Sequence, residues 1–368
     1  MLFQLAIGDA YGAGFEYASK DFVAQHNNLE RYISHPKHRQ LPGTYTDDTQ
    51  MALAIAELLI EKSPWTKEVI AQKFVDVFKR DPRKGYSQRF YWFLREVKDG
   101  SEFLARIDPR STKSGAAMRA PPLGLLKSEA EVLAKAEFQA RLTHDTPEGV
   151  ASAQAAALTA HYFAYGLGPA EKLGRYLSNQ VPYRYAWHKP WRGKVGPSGL
   201  EAVHAAVYVL SRESTLAGVL RETVNLTGDV DTVASIALAA ASTTRDFLRD
   251  IPEALATALE HSTFGANHLQ KVDRALSQLL PLRAQSSGEI TRPFYREVIA
   301  DKLRVVENIE HGQRIISECP FCDAEDFSIG AGFYKCFSCG KVGNAITFLV
   351  EVMKMPQDQA MDFYKKYM

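Results

Sequence analysis

The sequence predicts a mainly α-helical protein with a small, separate cysteine-bearing module at its C-terminal end. Three observations predict it. Apolar residues recur at three- and four-residue spacing through most of the first 280 positions. The same stretches are rich in alanine, as in Ala153–Ala160 and Ser235–Ser242, which favours helix and close helix packing. All four cysteines lie between Cys319 and Cys339.

The N-terminal run MLFQLAIGDAYGAGFEY has no basic leader, and its glycines and acids interrupt any signal-like apolar core. Helical periodicity then marks Met51–Ile60, Val69–Phe78, Phe90–Val97, Val132–Leu142, Ala151–Ala164, Leu200–Leu210, Thr232–Ala241 and Leu269–Leu280. Alternating strand patterns are scarce. Small residues, Gly288 and Pro293 break the pattern between Ala284 and Pro293. The expected organisation is an all-α domain over residues 1–283, a connector over 284–316 whose part from Phe294 to Arg314 is a charged helix, and a ribbon over 317–368.

The 368 residues exceed a comfortable single core, which supports this division. The chain is 46% hydrophobic and 24% charged, so wholesale disorder is excluded. A formal charge of +1 excludes a bulk polycation that coats nucleic acid or anionic membrane. No apolar run reaches the roughly 18–20 residues of a membrane span, and four cysteines are too few for a disulfide scaffold. The expected location is the cytoplasm.

Gly43-Thr-Tyr-Thr-Asp-Asp-Thr-Gln50 leads directly into an apolar helix. Thr46 or Asp47 would serve as an N-cap, and the helix dipole favours Asp48. Gly228-Asp-Val-Asp-Thr232 repeats the arrangement before a second apolar helix. Two such starts hold more carboxylates than capping needs. Hard cations such as Mg²⁺ and Mn²⁺ prefer carboxylate and hydroxyl oxygens. If the two starts face each other, Thr46, Asp47, Asp48, Asp229, Asp231 and Thr232 form one oxygen-rich cage; spacing alone does not show that they meet.

Five motifs in order resemble those of the ADP-ribosylglycohydrolases. They are Gly8-Asp-Ala-Tyr-Gly-Ala-Gly-Phe-Glu16, Tyr45-Thr-Asp-Asp-Thr-Gln50, Ser114-Gly-Ala-Ala-Met-Arg-Ala-Pro-Pro-Leu-Gly124, Leu142-Thr-His144 and Gly228-Asp-Val-Asp-Thr232. The resemblance covers Leu5 to Leu280. It implies an orthogonal all-α fold that holds two Mg²⁺ or Mn²⁺ ions and hydrolyses the glycosidic bond at C1″ of ADP-ribose. It further implies that Thr46, Asp47, Asp48, Asp229, Asp231 and Thr232 are the metal ligands. Glu16, Asp47 and Asp231 would be catalytic, with Glu16 as a mobile acid beside the metals. Ser114, Gly115, Ala116, Ala117 and Met118 would line the pyrophosphate and distal ribose, with His144 close by.

These residue types suit that chemistry. Metals orient ribose hydroxyls and lower the pKa of a bound water, roughly from 15.7 towards 7. Glu16 would take that water's proton or protonate the leaving group. The Ser114–Ala117 turn offers backbone N–H groups to phosphate oxygens. Adenine needs an aromatic or apolar slot, for which Pro182-Tyr-Arg-Tyr-Ala-Trp-His-Lys-Pro-Trp191 is the richest candidate loop. Two positions depart from the family pattern. Thr227 replaces the first glycine of the usual GGD, and Ala239-Ala-Ala-Ser-Thr-Thr lacks the usual glycines.

Cys319-Pro-Phe-Cys322 and Cys336-Phe-Ser-Cys339 form two C-x2-C knuckles. Paired thiolates of this kind match one closed, tetrahedral, structural Zn²⁺. Strands are expected around Phe327–Ile329 and Phe333–Lys335, and the metal would supply much of the folding energy. From residue 317 to 367 the module resembles the zinc-binding domain of bacterial and phage primases, with Cys322 where a histidine is common. That implies contact with single-stranded nucleic acid through stacking on Phe333, Tyr334 or Phe337. Residues 284–368 carry 10 Lys and Arg against 12 Asp and Glu, which disfavours binding by phosphate attraction.

The leading expectation is therefore a metal-dependent hydrolase that frees ADP-ribose from modified protein side chains such as arginine, with the ribbon for targeting. The alternatives are an ADP-ribosylated nucleic acid as substrate, or a catalytically weak ADP-ribose-binding protein.

Overall fold

The computed structural model describes residues 1–244, 246–279, 295–299, 303, 305–309, 314–325, 327–329, 334–336, 338–364 and 366. The chain divides into two compact units, residues 1–281 and 282–368.

The first unit is helical, as expected. Its helices are α1 (Leu2–Gly12), α2 (Lys20–His26), α3 (Asp47–Ile60), α4 (Lys67–Arg80), α5 (Gln88–Glu96), α6 (Gly100–Arg106) and the single turn α7 (Gly115–Met118). Then follow α8 (Glu129–Arg141), α9 (Pro147–Ala164), α10 (Leu173–Gln180), α11 (Gly199–Leu210), α12 (Leu216–Asn225), α13 (Val230–Ala241), α14 (Glu253–Ala258) and α15 (Ala266–Ser277). Side-chain caps set several starts. Thr66 accepts from the amide of Val69, Ser128 from Glu131, and Thr146 from Gly149, with Pro147 in the first helical position.

The centre is made by α1, α9 and α13, which are buried almost throughout. Small residues let these helices approach closely. In α9 every residue from Gly149 to Ala164 is buried, and in α13 every residue from Val230 to Ala241. In α1 the apolar run is interrupted by Gly8, Asp9 and Gly12, all of them buried.

The second unit has its own core, including Phe327, Ile329, Tyr334, Phe348, Leu349 and Tyr364. Five antiparallel strands follow in spatial order: β1 (Val305–Ile309), β2 (Arg314–Ser317), β3 (Phe327–Ile329), β4 (Tyr334–Cys336) and β5 (Val342–Gly343). The helices α16 (Ala345–Glu351) and α17 (Gln357–Tyr364) come after them. The connector helix expected over Phe294–Arg314 is corrected. Its described part holds one π-helical turn, Tyr295–Ile299, and then β1, whose Asn308 and Ile309 pair with Ile315 and Arg314 of β2. Val305, Val306, Ile309, Ile315 and Ile316 are β-branched, and that preference overrides the charged helical pattern. Among the described residues, no helix is long and apolar enough to cross a membrane.

Candidate active site

One helix crossing builds the site. A methyl group at Gly8 would come within 2.6 Å of the Ala234 carbonyl oxygen, and one at Gly12 within 2.5 Å of Asp231 Cα. The main chains of α1 and α13 therefore touch, and the segment after α1 arrives beside the start of α13. There Glu16, Asp229 and Asp231 bring carboxylate oxygens within 4.8 Å of one another. Asp47 and Asp48, from the start of α3, line the same cavity, together with Thr232; its volume is about 740 Å³. The two acidic helix starts do meet.

Capping does not account for these acids. The N-cap of α3 is Thr46, whose Oγ1 accepts from the Asp48 amide at 3.4 Å. Asp229 sits at the N-cap of α13 yet makes no capping bond. Gly85, at φ +101°, closes over Asp47; a side chain there would collide with Asp47 Oδ1.

Burial raises the carboxyls of Asp47, Asp48, Asp229 and Asp231 well above the usual range. Their own mutual repulsion adds to it: Asp231 acts on Asp48 and Asp229, Glu16 on Asp231, and Asp9 on Asp47. Glu16 is pushed up to about 7 by burial, then by the charges of Asp229 and Asp9. Among the described residues, none of these five pairs with a lysine, arginine or histidine. Asp48 Oδ1 and Asp231 Oδ1 are buried without a hydrogen-bond partner. Buried unpaired carboxylates are costly, and a hard divalent cation is the partner that suits them. The donor set fits Mg²⁺ or Mn²⁺.

Sequence reasoning missed Asp9. This fully buried carboxylate accepts from the amide and hydroxyl of Thr46, at 2.8 and 2.7 Å, and from the amide and hydroxyl of Thr49, at 3.0 and 2.5 Å. It fixes the first turn of α3, so the direction in which Asp47 and Asp48 point depends on α1. Burial raises its carboxyl, and the four donors oppose that shift. The signal was present inside the motif Gly8–Glu16, where only Glu16 was given a role.

Of the predicted substrate residues, Ser114, Gly115, Met118 and His144 line the cavity. Ala116 and Ala117 do not; both are fully buried in the core. The amides of Ala117 and Met118 are already bonded to the Ser114 carbonyl, at 2.8 and 3.0 Å, and are not offered to a ligand. The loop 182–191 also lies away from the cavity lining. Trp187 is buried, and Tyr185, Trp187 and Trp191 pack around His204. The cavity's aromatic wall comes instead from Tyr86 and from Phe90 and Phe93 of α5, whose rings stack at 5.8 Å. Lys113, Arg89, Arg106 and Arg110 also line it; Arg89 and Arg110 pair with Asp108, and Arg106 with Glu96 and Glu102. The density of aromatics in Gln88–Glu96 was the available signal.

In the second unit, one ligand atom from each of Cys319, Cys322, Cys336 and Cys339 lies within 4.8 Å of the others. Cys319 Sγ is 3.8 Å from Cys339 Sγ, and Cys322 Sγ is 3.6 Å from Cys336 Sγ. Zn–S bonds of about 2.3 Å in a tetrahedron require sulfurs about 3.8 Å apart. The amides of Phe321 and Cys339 donate to Cys319 Sγ and Cys336 Sγ, as tight metal knuckles do. The set fits Zn²⁺ with no open position. Tyr334 is fully buried in this unit's core and is not a free stacking platform. Phe333 and Phe337 lie outside the described residues.

Two family models match the chain. Residues 1–288 match the family model for ADP-ribosylglycohydrolase, and residues 295–366 match that for the CHC2 zinc finger. The ADP-ribosyl-[dinitrogen reductase] glycohydrolase of Rhodospirillum rubrum is 28% identical over 238 residues, 63% of this chain and 80% of that protein. The ADP-ribosylarginine hydrolase Tri1 of Serratia proteamaculans is 23% identical over 248 residues, 63% of this chain and 66% of that protein. ADP-ribosylhydrolase ARH3 of Xenopus tropicalis is 28% identical over 185 residues, and the chain spans about half its length, 52%. A solved ADP-ribosylglycohydrolase-related protein complex shares the fold, with a TM-score of 0.61 at 24% identity over 76% of this chain and 95% of that one. With a family match that runs from residue 1 to residue 288 and a carboxylate-lined cavity inside it, the chain belongs to the ADP-ribosylglycohydrolase family.

Proposed function

We propose that the first unit hydrolyses the C1″ glycosidic bond of an ADP-ribosylated substrate, most simply a modified protein side chain such as arginine, and that it does so in the cytoplasm. The observation that carries this reading is the meeting of two helix starts, where Glu16, Asp47, Asp48, Asp229 and Asp231 face one cavity and, among the described residues, none of the five forms an ion pair with a lysine, arginine or histidine.

Thr46, Asp47, Asp48, Asp229, Asp231 and Thr232 would hold two Mg²⁺ or Mn²⁺ ions. Bound there, divalent cations supply Lewis-acid orientation of ribose hydroxyls and of the attacking water. Glu16 lies beside Asp229 and Asp231, where a carboxyl can exchange a proton with a water or a leaving group in the cavity. It is the group to take the proton of the attacking water or to give one to the leaving atom. Arg89, Arg106, Arg110 and Lys113 favour the diphosphate, and the Phe90–Phe93 wall favours the adenine.

The test is release of ADP-ribose from a panel of modified proteins, assayed with and without chelator. Release only from ADP-ribosylated arginine supports the leading reading. A second reading, a nucleic-acid acceptor, is favoured by the CHC2-type ribbon. Release only from ADP-ribosylated oligonucleotides would select it. Tight binding of ADP-ribose without turnover would leave a binding protein.

A further inference from the structure

His144 stands at the end of a buried chain of donors. The chain begins at Arg119, which is almost wholly inaccessible. Its guanidinium donates to the Gly115 carbonyl at 3.1 Å, to the side-chain and main-chain oxygens of Gln139, and through Nη2 to Thr143 Oγ1 at 2.8 Å. Its plane lies over the Phe74 ring, with Cζ 4.7 Å from the centroid. All of these acceptors are neutral. Gln139 in turn donates to the Ala116 carbonyl at 3.0 Å, so the network grips the Gly115–Ala116 turn from behind.

Thr143 Oγ1 lies 2.7 Å from His144 Nδ1. A guanidinium can only donate, so Thr143 accepts from Arg119. The threonine hydroxyl proton then needs an acceptor, and Thr143 is buried. Among the described residues, its remaining partner is His144 Nδ1. The hydroxyl therefore donates to Nδ1, which leaves the ring proton of neutral His144 on Nε2. Burial and the charge of Arg119 push the imidazole down to about 3, so the ring is neutral across the physiological range.

The Nε2 edge is left open by a glycine. A methyl at Gly115 would come within 3.0 Å of His144 Cε1 and 3.3 Å of Nε2. Both residues line the cavity.

We propose that Arg119 and Thr143 are positioning residues that lock His144 as its Nε2–H tautomer, and that this N–H is a fixed, uncharged donor to an oxygen of the bound ligand. The second half rests on the reading that the cavity takes ADP-ribose; the first half does not.

The experiment uses the full chain labelled with ¹⁵N-histidine, with the His144 signals assigned by their loss in His144→Gln. Long-range ¹H–¹⁵N spectra between pH 5 and 8 should show a pyridine-type Nδ1 and a pyrrole-type Nε2. A proton on Nδ1 in the wild-type protein overturns the relay, whatever the threonine variants do. Thr143→Val, which keeps shape but loses the hydroxyl, should mix the tautomers and weaken the Kd for free ADP-ribose by about 3- to 10-fold, the scale of one neutral hydrogen bond. Thr143→Ser should restore both. An unchanged Kd in a folded Thr143→Val overturns the donor role. A locked Nε2–H with no ADP-ribose binding in the wild type leaves the relay standing and overturns the ligand reading.

Discussion

The amide of Tyr17 donates to the carbonyl of Gly228 at 2.8 Å. This bond ties the segment that carries Glu16 to the one that carries Asp229. Each segment has left-handed backbone beside this bond: Tyr17 at φ 50°, Thr227 at φ 60° and Gly228 at φ 103°. Val195 holds the second segment from its other side. Its amide donates to the Thr227 carbonyl at 2.9 Å, and its carbonyl accepts from the Asp229 amide at 3.1 Å.

Thr227 is the strained member. A β-branched residue at positive φ costs about 1–3 kcal/mol, and its buried Oγ1 has no hydrogen-bond partner. Glycine would relieve this and return roughly 0.4–1 kcal/mol to the unfolded chain as entropy. Thr227→Gly should raise the Tm of the first unit by a few degrees in calorimetry, with ADP-ribose release retained. A lower Tm would show that the side chain's packing outweighs its strain.

Metal dependence follows from the unpartnered oxygens of Asp48 and Asp231. Chelation should abolish ADP-ribose release, and Mg²⁺ or Mn²⁺ should restore it. Asp231→Asn should lower kcat by about 100-fold or more, since several kcal/mol of charge stabilisation act through the site. Full turnover by chelated protein would refute the assignment.

Asp9→Asn tests the support beneath α3. The amide nitrogen would face the Thr46 and Thr49 donors, and charge-assisted hydrogen bonds are worth about 1.5–3 kcal/mol each. The variant should lose at least about 2 kcal/mol in urea unfolding, and should bind Mg²⁺ or Mn²⁺ more weakly by calorimetric titration. Unchanged metal affinity in a folded variant would confine Asp9 to stability alone.

His144 sets a pH dependence. The folded pKa is depressed to about 3, against about 6.5 unfolded. Between these values the unfolded chain binds the extra proton, so this group's stability contribution is present above pH 6.5 and is lost as pH falls towards 3. The slope is at most about 1.4 kcal/mol per pH unit. His144→Gln should flatten the difference in stability between pH 7 and pH 5 relative to wild type. Parallel curves for the two proteins would contradict it.

For the ribbon, elemental analysis of reduced protein should find one zinc per chain that survives mild chelation. Cys336→Ser should lose it and unfold the ribbon, because the small second core needs the metal. Turnover of a small ADP-ribosyl substrate should persist.

The sequence announced the two acidic helix starts, because Asp229 and Asp231 break a local rule that caps alone would satisfy. The cysteine pairs were equally legible, since thiolate spacing is dictated by the metal. Three features were not. Helix α1 hid because Gly8, Asp9 and Gly12 read as breaks in its apolar run, when the glycines are contact points and Asp9 is a buried acceptor. Asp9 hid because its partners, Thr46 and Thr49, are 37 and 40 residues away in the chain. The loop 182–191 attracted attention because aromatic richness serves a core as well as a ligand, and Trp187 went to the core.

The contact at Gly8 and Gly12 has a consequence for how this site can diverge. Main-chain atoms have the same radii in every sequence, so a crossing of backbone on backbone works as a fixed gauge. Core side chains elsewhere can drift in size while the spacing from Glu16 to Asp231 stays constant. One added methyl at Gly12 would shift that spacing at once, and the lesion would look like a catalytic mutation although no reactive group had been touched.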